Sequence, residues 1–276
     1  MSGDGASILT TPSSATATEN CRGNVLVSGS YGGEYNAYHA GKWGIRGVIL
    51  NDAGVGKDGA GIRGLAYLDG VGLAAATADA HSCHIGDGDH MLAHGVISYV
   101  NRAAAARGCV PGETVRQCAE RLREAPVIDQ PMPPIQGGKR HVISNRLGEP
   151  PVVCLDAAPM LEPTDAGSIV VTGSHAALFR GRPDDVVKPD VRAIFFSDAG
   201  VGLDGAGIAR LPTLDDRGIA AGTASADSAA IGDARSIYQH GVLSHVNRTA
   251  AALGAAAGIP VRAFIAGLVS RWRMAG

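Results

Sequence analysis

Residues 51–62 read NDAGVGKDGAGI and residues 197–208 read SDAGVGLDGAGI, ten of twelve positions identical across a separation of 146 residues. A glycine-rich stretch bracketed by aspartates and met twice marks an internal repeat. Its neighbours recur in the same order. VLVSGSYGG (25–33) answers VVTGSHAAL (170–178), GLAAATADAHSCHIGD (72–87) answers GIAAGTASADSAAIGD (218–233), and HGVISYVNRAAAARG (94–108) answers HGVLSHVNRTAAALG (240–254). PGETVRQCAERL (111–122) answers IPVRAFIAGL (259–268) more loosely, and a two-residue insertion between Ser30 and Arg46 separates the registers.

Within each copy, VLVSG, RGVIL and LAAATA are apolar runs of strand length bounded by Gly, Asp and Ser. The stretches between them have helical spacing. Ile62, Leu65, Ala66 and Leu68 share a face with Gly70 or Gly72 as its stop, Ala103 to Arg107 ends at Gly108, and Val115, Cys118, Ala119 and Leu122 make an amphipathic last helix. Strand–helix alternation with continuous apolar strands predicts an α/β fold of two tandem, homologous, Rossmann-like parallel-sheet units related by pseudo-two-fold symmetry, as in a fused dimer. The domains run 1–124 (first, His-rich repeat), 125–150 (Pro-rich connector) and 151–276 (second repeat). SILTTPSSA (7–15) and VVCLDAAPM (152–160) each predict one further strand. Pro212 stands where the first copy has Ala66. The helix is therefore expected to break there, with Pro212 opening a new turn, because a proline inside a helix costs about 3 kcal/mol.

Composition narrows the function classes. With 276 residues, 45% hydrophobic and 18% charged, and a net charge of −2, the chain reads as globular, with no basic excess to neutralise a nucleic-acid backbone. Only 4% of residues are aromatic against 39 glycines, so the core must close through small side chains. Five cysteines without a CxxC pair read as reduced, buried thiols. The opening stretch MSGDGASILTTPSSATATENCRGN lacks the basic and apolar blocks of a secretory leader, and no apolar run is long enough for a membrane span; a cytoplasmic protein is expected.

In a doubly wound sheet, ligands bind at the carboxyl ends of the strands. Ser28-Gly29-Ser30, the Asp52 loop and residues 79–87 fall there, as do their second-copy counterparts. The glycine loop contains G-x-G-x-x-G (Gly54, Gly56, Gly59), the pattern of a dinucleotide fingerprint, but Asp52 and Asp58 would repel a pyrophosphate. Its amides suit an oxyanion nest better, with Asp52 as general acid/base. His81 and His84 stand by as bases, or with Asp87 and Asp89 as ligands of a divalent metal; no metal is assigned. The expected catalytic set is therefore Asp52, His81, His84 and Ser30. Gly29, Gly54, Gly56, Arg102, Asp198 and Ser174 are expected to hold the substrate. The cofactor is left unknown. The sequence points to an enzyme, a hydrolase or a lyase/isomerase, acting on a small, polar, carboxylate-bearing metabolite by hydrolysis or proton abstraction. The alternatives are a non-catalytic ligand-binding or regulatory protein and a dinucleotide-dependent enzyme. The partner is a small-molecule substrate, with no nucleic acid or membrane, and the fold is compatible with a homo-oligomer.

Overall fold

The computed structural model describes residues 5–135, 137–182 and 186–273. It is an α/β protein with two mixed, mostly parallel sheets. The first sheet contains β1 (Ile8–Thr11), β2 (Val25–Tyr31), β3 (Gly47–Asn51), β4 (Ala74–Ala78) and β5 (Ile97–Val100), in the order β1-β2-β3-β4-β5. The second contains β6 (Arg140–Ser144), β7 (Val152–Leu155), β8 (Ile169–His175), β9 (Ala193–Ser197), β10 (Ala220–Ala224) and β11 (Leu243–Val246), in the order β11-β10-β9-β8-β7-β6. β1 to β4 pair in parallel, as do β7 to β10. β5, β6 and β11 pair antiparallel at the edges.

The helices are α1 (Glu34–Gly41), α2 (Arg63–Asp69), α3 (Gly88–His94), α4 (Arg102–Ala105), α5 (Val115–Leu122), α6 (Leu211–Asp215), α7 (Ala234–His240), α8 (Arg248–Ala252) and α9 (Val261–Trp272). Alternate strand residues face opposite layers. Val25, Val27 and Ile49 pack with Met91, Cys118 and Leu122 of α3 and α5, while Leu26, Val48 and Leu50 pack with Ala37, Ala40 and Leu68 of α1 and α2. Burial on both faces is why the strands read as unbroken apolar runs. Among the described residues, no helix is long and apolar enough to cross a membrane.

β1 and β7 are the two added strands, and the residues expected to face inward in the last helix, Val115, Cys118, Ala119 and Leu122, are all buried in α5. Pro212 sits in the first turn of α6, where its missing N–H costs nothing. Other details differ. β1 pairs Ile8 with Val25 while β7 pairs Val152 with Ile169, so Val25 answers Ile169 and the 25–33 match shifts by one residue. The connector supplies β6 to the second sheet and packs Ile128 and Met132 on the first. Neither sheet is all-parallel. After β4 the chain packs α3 against β2 and β1 and then returns as β5, which pairs antiparallel with β4.

The recurring Asn-Arg pair is a cross-tie. Asn101 Oδ1 accepts from Ala75 N (3.0 Å) and Ala104 N (2.9 Å), and its amide donates to Leu73 O (2.8 Å). Asn247 repeats the set with Ala221, Ala250 and Ile219. Arg102 and Arg248 lie exposed, paired with Asp69 and Asp215.

Candidate functional site

The glycine loop is where the two sheets meet. Its backbone runs left-handed through Ala53, Gly54, Val55 and Gly56 (φ 50°, 71°, 65° and 63°), and Ala199 to Gly202 repeat this (φ 49°, 72°, 64° and 72°). A left-handed β-branched residue costs on the order of 1 kcal/mol or more, so surrounding structure must impose it. Asp52 does so. Its Oδ1 accepts from Gly54 N (2.9 Å) and Ala80 N (3.0 Å), bolting the loop to the end of β4. Asp198 holds Gly200 N (3.0 Å) and Ala226 N (2.9 Å) in the same way. The two loops then abut: a Cβ on Gly54 would lie 2.9 Å from Gly200 Cα. Across the junction Lys57 N donates to Ala226 O and Leu203 N to Ala80 O, both at 2.8 Å. Tyr31, Ala53, Ile85, Ala177, Ala199 and Ile231 fill the contact, and the small residues permit it to be this close.

On one side of the junction lies a cleft of about 600 Å³. Neither sheet reverses its strand order, so no crevice opens between neighbouring strands of either one. The cleft forms instead between the sheets. Tyr31, at the end of β2, faces the loop after β10 and helix α7, and β6 and Asp156, just after β7, close the rim. Lys57, Arg63, Lys139 and Arg235 line it with Glu34, Asp58, Asp156, Asp233, His141 and His240. Two of the carboxylates have backbone work: Asp156 accepts from Lys139 N (2.9 Å) and Ala234 N (3.2 Å), and Asp233 caps α7 at Ser236 N (2.9 Å). Lys57 Nζ rests 3.4 Å from Ser228 O. Burial, the Asp156 carboxylate and Tyr35 push the Tyr31 hydroxyl well above the usual phenol range, which keeps it a proton donor.

The other side of the junction is covered. Arg180 N donates to Gly86 O (3.0 Å), laying the segment after β8 across the loop before α3. Nearby, His84 Nε2 meets the exposed Asp204 Oδ2 at 2.9 Å, across the junction. His84 stacks on His90 with centroids 3.8 Å apart, and His90 contacts His94 at 4.6 Å. Burial and the neighbouring His84 and His94 hold His90 below the usual histidine range. Asp89 bonds Thr10 and pairs with Arg180 at 3.4 Å, and Asp87 caps α3 at His90 N (3.0 Å).

The residues singled out from sequence are thus distributed over several places. Asp52 is 4% exposed, with burial raising its carboxyl above the usual range despite the two amides. Ser30 and Ser174 accept from Ser14 N and Ala158 N, both at 2.9 Å, holding the segments after β1 and β7. Gly29 is where the loop before α3 crosses β2: a Cβ there would lie 2.3 Å from Asp87 N. The amides of Gly54 and Gly56 bond Asp52 and Gly54 O. His81 is exposed, and only His84 among the four expected catalytic groups reaches a carboxylate of the other half. Sequence reasoning did not reach Tyr31, Lys57, Arg235, His141 or Asp204, although Lys57 stood out as one of the two positions where the repeated stretches differ. Cys83 is wholly buried, its thiol pushed up to about 12 by burial. No family model, curated protein or solved structure matches the chain.

Proposed function

We propose that this protein is an enzyme acting on a small, polar, carboxylate-bearing metabolite, by hydrolysis or proton abstraction, in the open cleft between the two sheets. One observation carries the reading: a cleft of about 600 Å³, in the size range of small-molecule sites, is lined by cations from both halves around a buried, protonated tyrosine. Lys57 and Arg235 hold the substrate carboxylate from opposite walls. His141 and His240 supply imidazoles for proton transfer, and the Tyr31 hydroxyl donates to the oxyanion that develops. We also read the chain as a duplicated unit whose halves pack about a pseudo-two-fold axis, with the paired contacts of the glycine loops as support.

A second reading keeps the chemistry with the first-copy histidines, because the 2.9 Å His84–Asp204 contact is a base-and-orienter arrangement. The two readings separate in one experiment. The protein is incubated in deuterated buffer with a panel of small amino, hydroxy and keto acids and their amides and esters. NMR follows exchange at the carbon beside the carboxylate and release of hydrolysis products. Turnover abolished by Tyr31→Phe and His240→Ala but kept by His84→Ala supports the cleft, and the reverse pattern supports the histidine row. If wild-type protein turns over nothing in the panel, the enzymatic reading fails for this substrate class.

A further inference from the structure

Three metal-ligating side chains converge in the first half, outside the residues that fill the junction. The ligand atoms of Cys109, Glu113 and Cys118 all lie within 4.8 Å of one another. Cys109 follows α4, Glu113 closes the exposed turn after it, and Cys118 stands on the buried face of α5. Cys109 and Cys118 are 1% and 0% exposed, and the Glu113 side chain is 7% exposed.

The fold does not need these groups. In the second half the same turn is built with Ala255, Ile259 and Phe264. Leu243 N donates to Ile259 O at 2.9 Å as Ile97 N does to Glu113 O, and Ala255 N donates to Ala250 O at 3.1 Å as Cys109 N does to Ala104 O at 3.2 Å. There the three positions belong to or pack against an apolar core. Two thiols and a carboxylate at the corresponding place are therefore not required by the turn itself, although Glu113 has partners in Val110 N and Arg121.

We propose that Cys109, Glu113 and Cys118 bind one thiophilic divalent cation, zinc being the fitting member of that class, in a three-ligand site that fastens the 109–114 turn to α5. Two thiolates and a carboxylate are a ligand set zinc accepts, with a water completing the tetrahedron. The ion displaces one proton from each thiol, so two protons leave to solvent as two Zn–S bonds form. The bound set then carries one net negative charge, and Arg121, whose Nε lies 3.1 Å from Glu113 Oε2, balances it. Val110 N, 3.1 Å from Glu113 Oε1, holds the carboxylate in place. The Cys109 thiol also reaches Cys118 O, at 3.8 Å, which keeps its sulfur beside α5.

The test uses the full chain, reduced, stripped with EDTA and titrated with zinc against a chromophoric chelator. One equivalent bound per chain, its affinity rising with pH, is expected, because ligation must displace thiol protons. That equivalent is lost in Cys109→Ala/Cys118→Ala and kept in Cys21→Ser/Cys154→Ser, whose thiols lie outside the cluster. Cobalt loaded into the wild-type chain gives thiolate-to-metal absorption, a readout that stands even where the double variant fails to fold. Absence of a bound equivalent, absence of that absorption, or full retention of the equivalent in a folded double variant would overturn the proposal.

Discussion

The two sides of the junction share a backbone and differ in what it carries. On the open side, helix α7 brings Arg235, Ser236 and His240 to the cleft that Tyr31 and Lys57 also line; on the covered side, Asp89 of helix α3 pairs with Arg180, and His90 of the same helix stacks on His84, which meets Asp204. Even single hydrogen bonds correspond. Ser236 Oγ accepts from Ala230 N at 3.1 Å where His90 Nδ1 accepts from His84 N at 3.3 Å. Corresponding backbone contacts build the junction from both sides, and the unlike side chains leave one flank as a charged cleft and place stacked imidazole rings on the other.

The comparison is tested hardest at the glycine contact. Gly54→Ala would place a Cβ against the opposing backbone at a left-handed residue, and a loss of about 2–4 kcal/mol is expected in urea unfolding. Gly72→Ala is the control, since Gly72 is also left-handed (φ +75°) but nothing lies within 4 Å of its Cβ position; it should lose only about 1 kcal/mol. Equal losses would mean that the loops do not touch.

Next in size is Asp52→Ala, which orphans two amides and should cost about 2–3 kcal/mol, with Asp198→Ala within about 0.5 kcal/mol of it. Asp52→Asn keeps an acceptor. Because the folded Asp52 carboxyl lies above its unfolded value, its contribution is present in acid and lost as pH rises through the folded pKa. Wild-type protein should therefore gain stability relative to Asp52→Asn on moving from neutral pH into the carboxylate range. A flat difference in denaturation midpoints would contradict this.

The smallest effect is expected from His90→Ser, which copies Ser236 into the covered side. At pH 7 it should change stability by less than about 0.5 kcal/mol, since the acceptor to His84 N is retained. His90 is held below its unfolded value, so its contribution is present above about pH 6.5 and lost as pH falls through the folded pKa. Wild-type protein should lose stability between pH 7 and 5, and His90→Ser should lose less; an unchanged profile would remove His90 from the pH response.

Much of the fold was legible because its causes are local. Unbroken apolar runs gave away strands buried on both faces, and Pro212 announced a new turn through its own ring. β5 and β11 were not legible as antiparallel, since strand direction is set by pairing with β4 and β10 and leaves no mark in the apolar runs themselves. The site was less legible still. His84 meets Asp204 across 120 positions and Lys57 meets Ser228 across 171, contacts without a local sequence signature. Asp52 drew attention as an aspartate at a strand end with glycines behind it, and it is the bolt that holds those glycines against their twins.

The proposed ligand site is the open side of the junction. Its most direct test is thermal stabilisation by a panel of small carboxylates, measured for wild-type protein, Lys57→Ala/Arg235→Ala and His84→Ala/His90→Ser. A ligand at a hundred times its Kd stabilises by about 2.7 kcal/mol, well within detection. Stabilisation of the wild type is expected to survive His84→Ala/His90→Ser and to vanish in Lys57→Ala/Arg235→Ala. Stabilisation that survives loss of both cations but not loss of the histidines would contradict this placement.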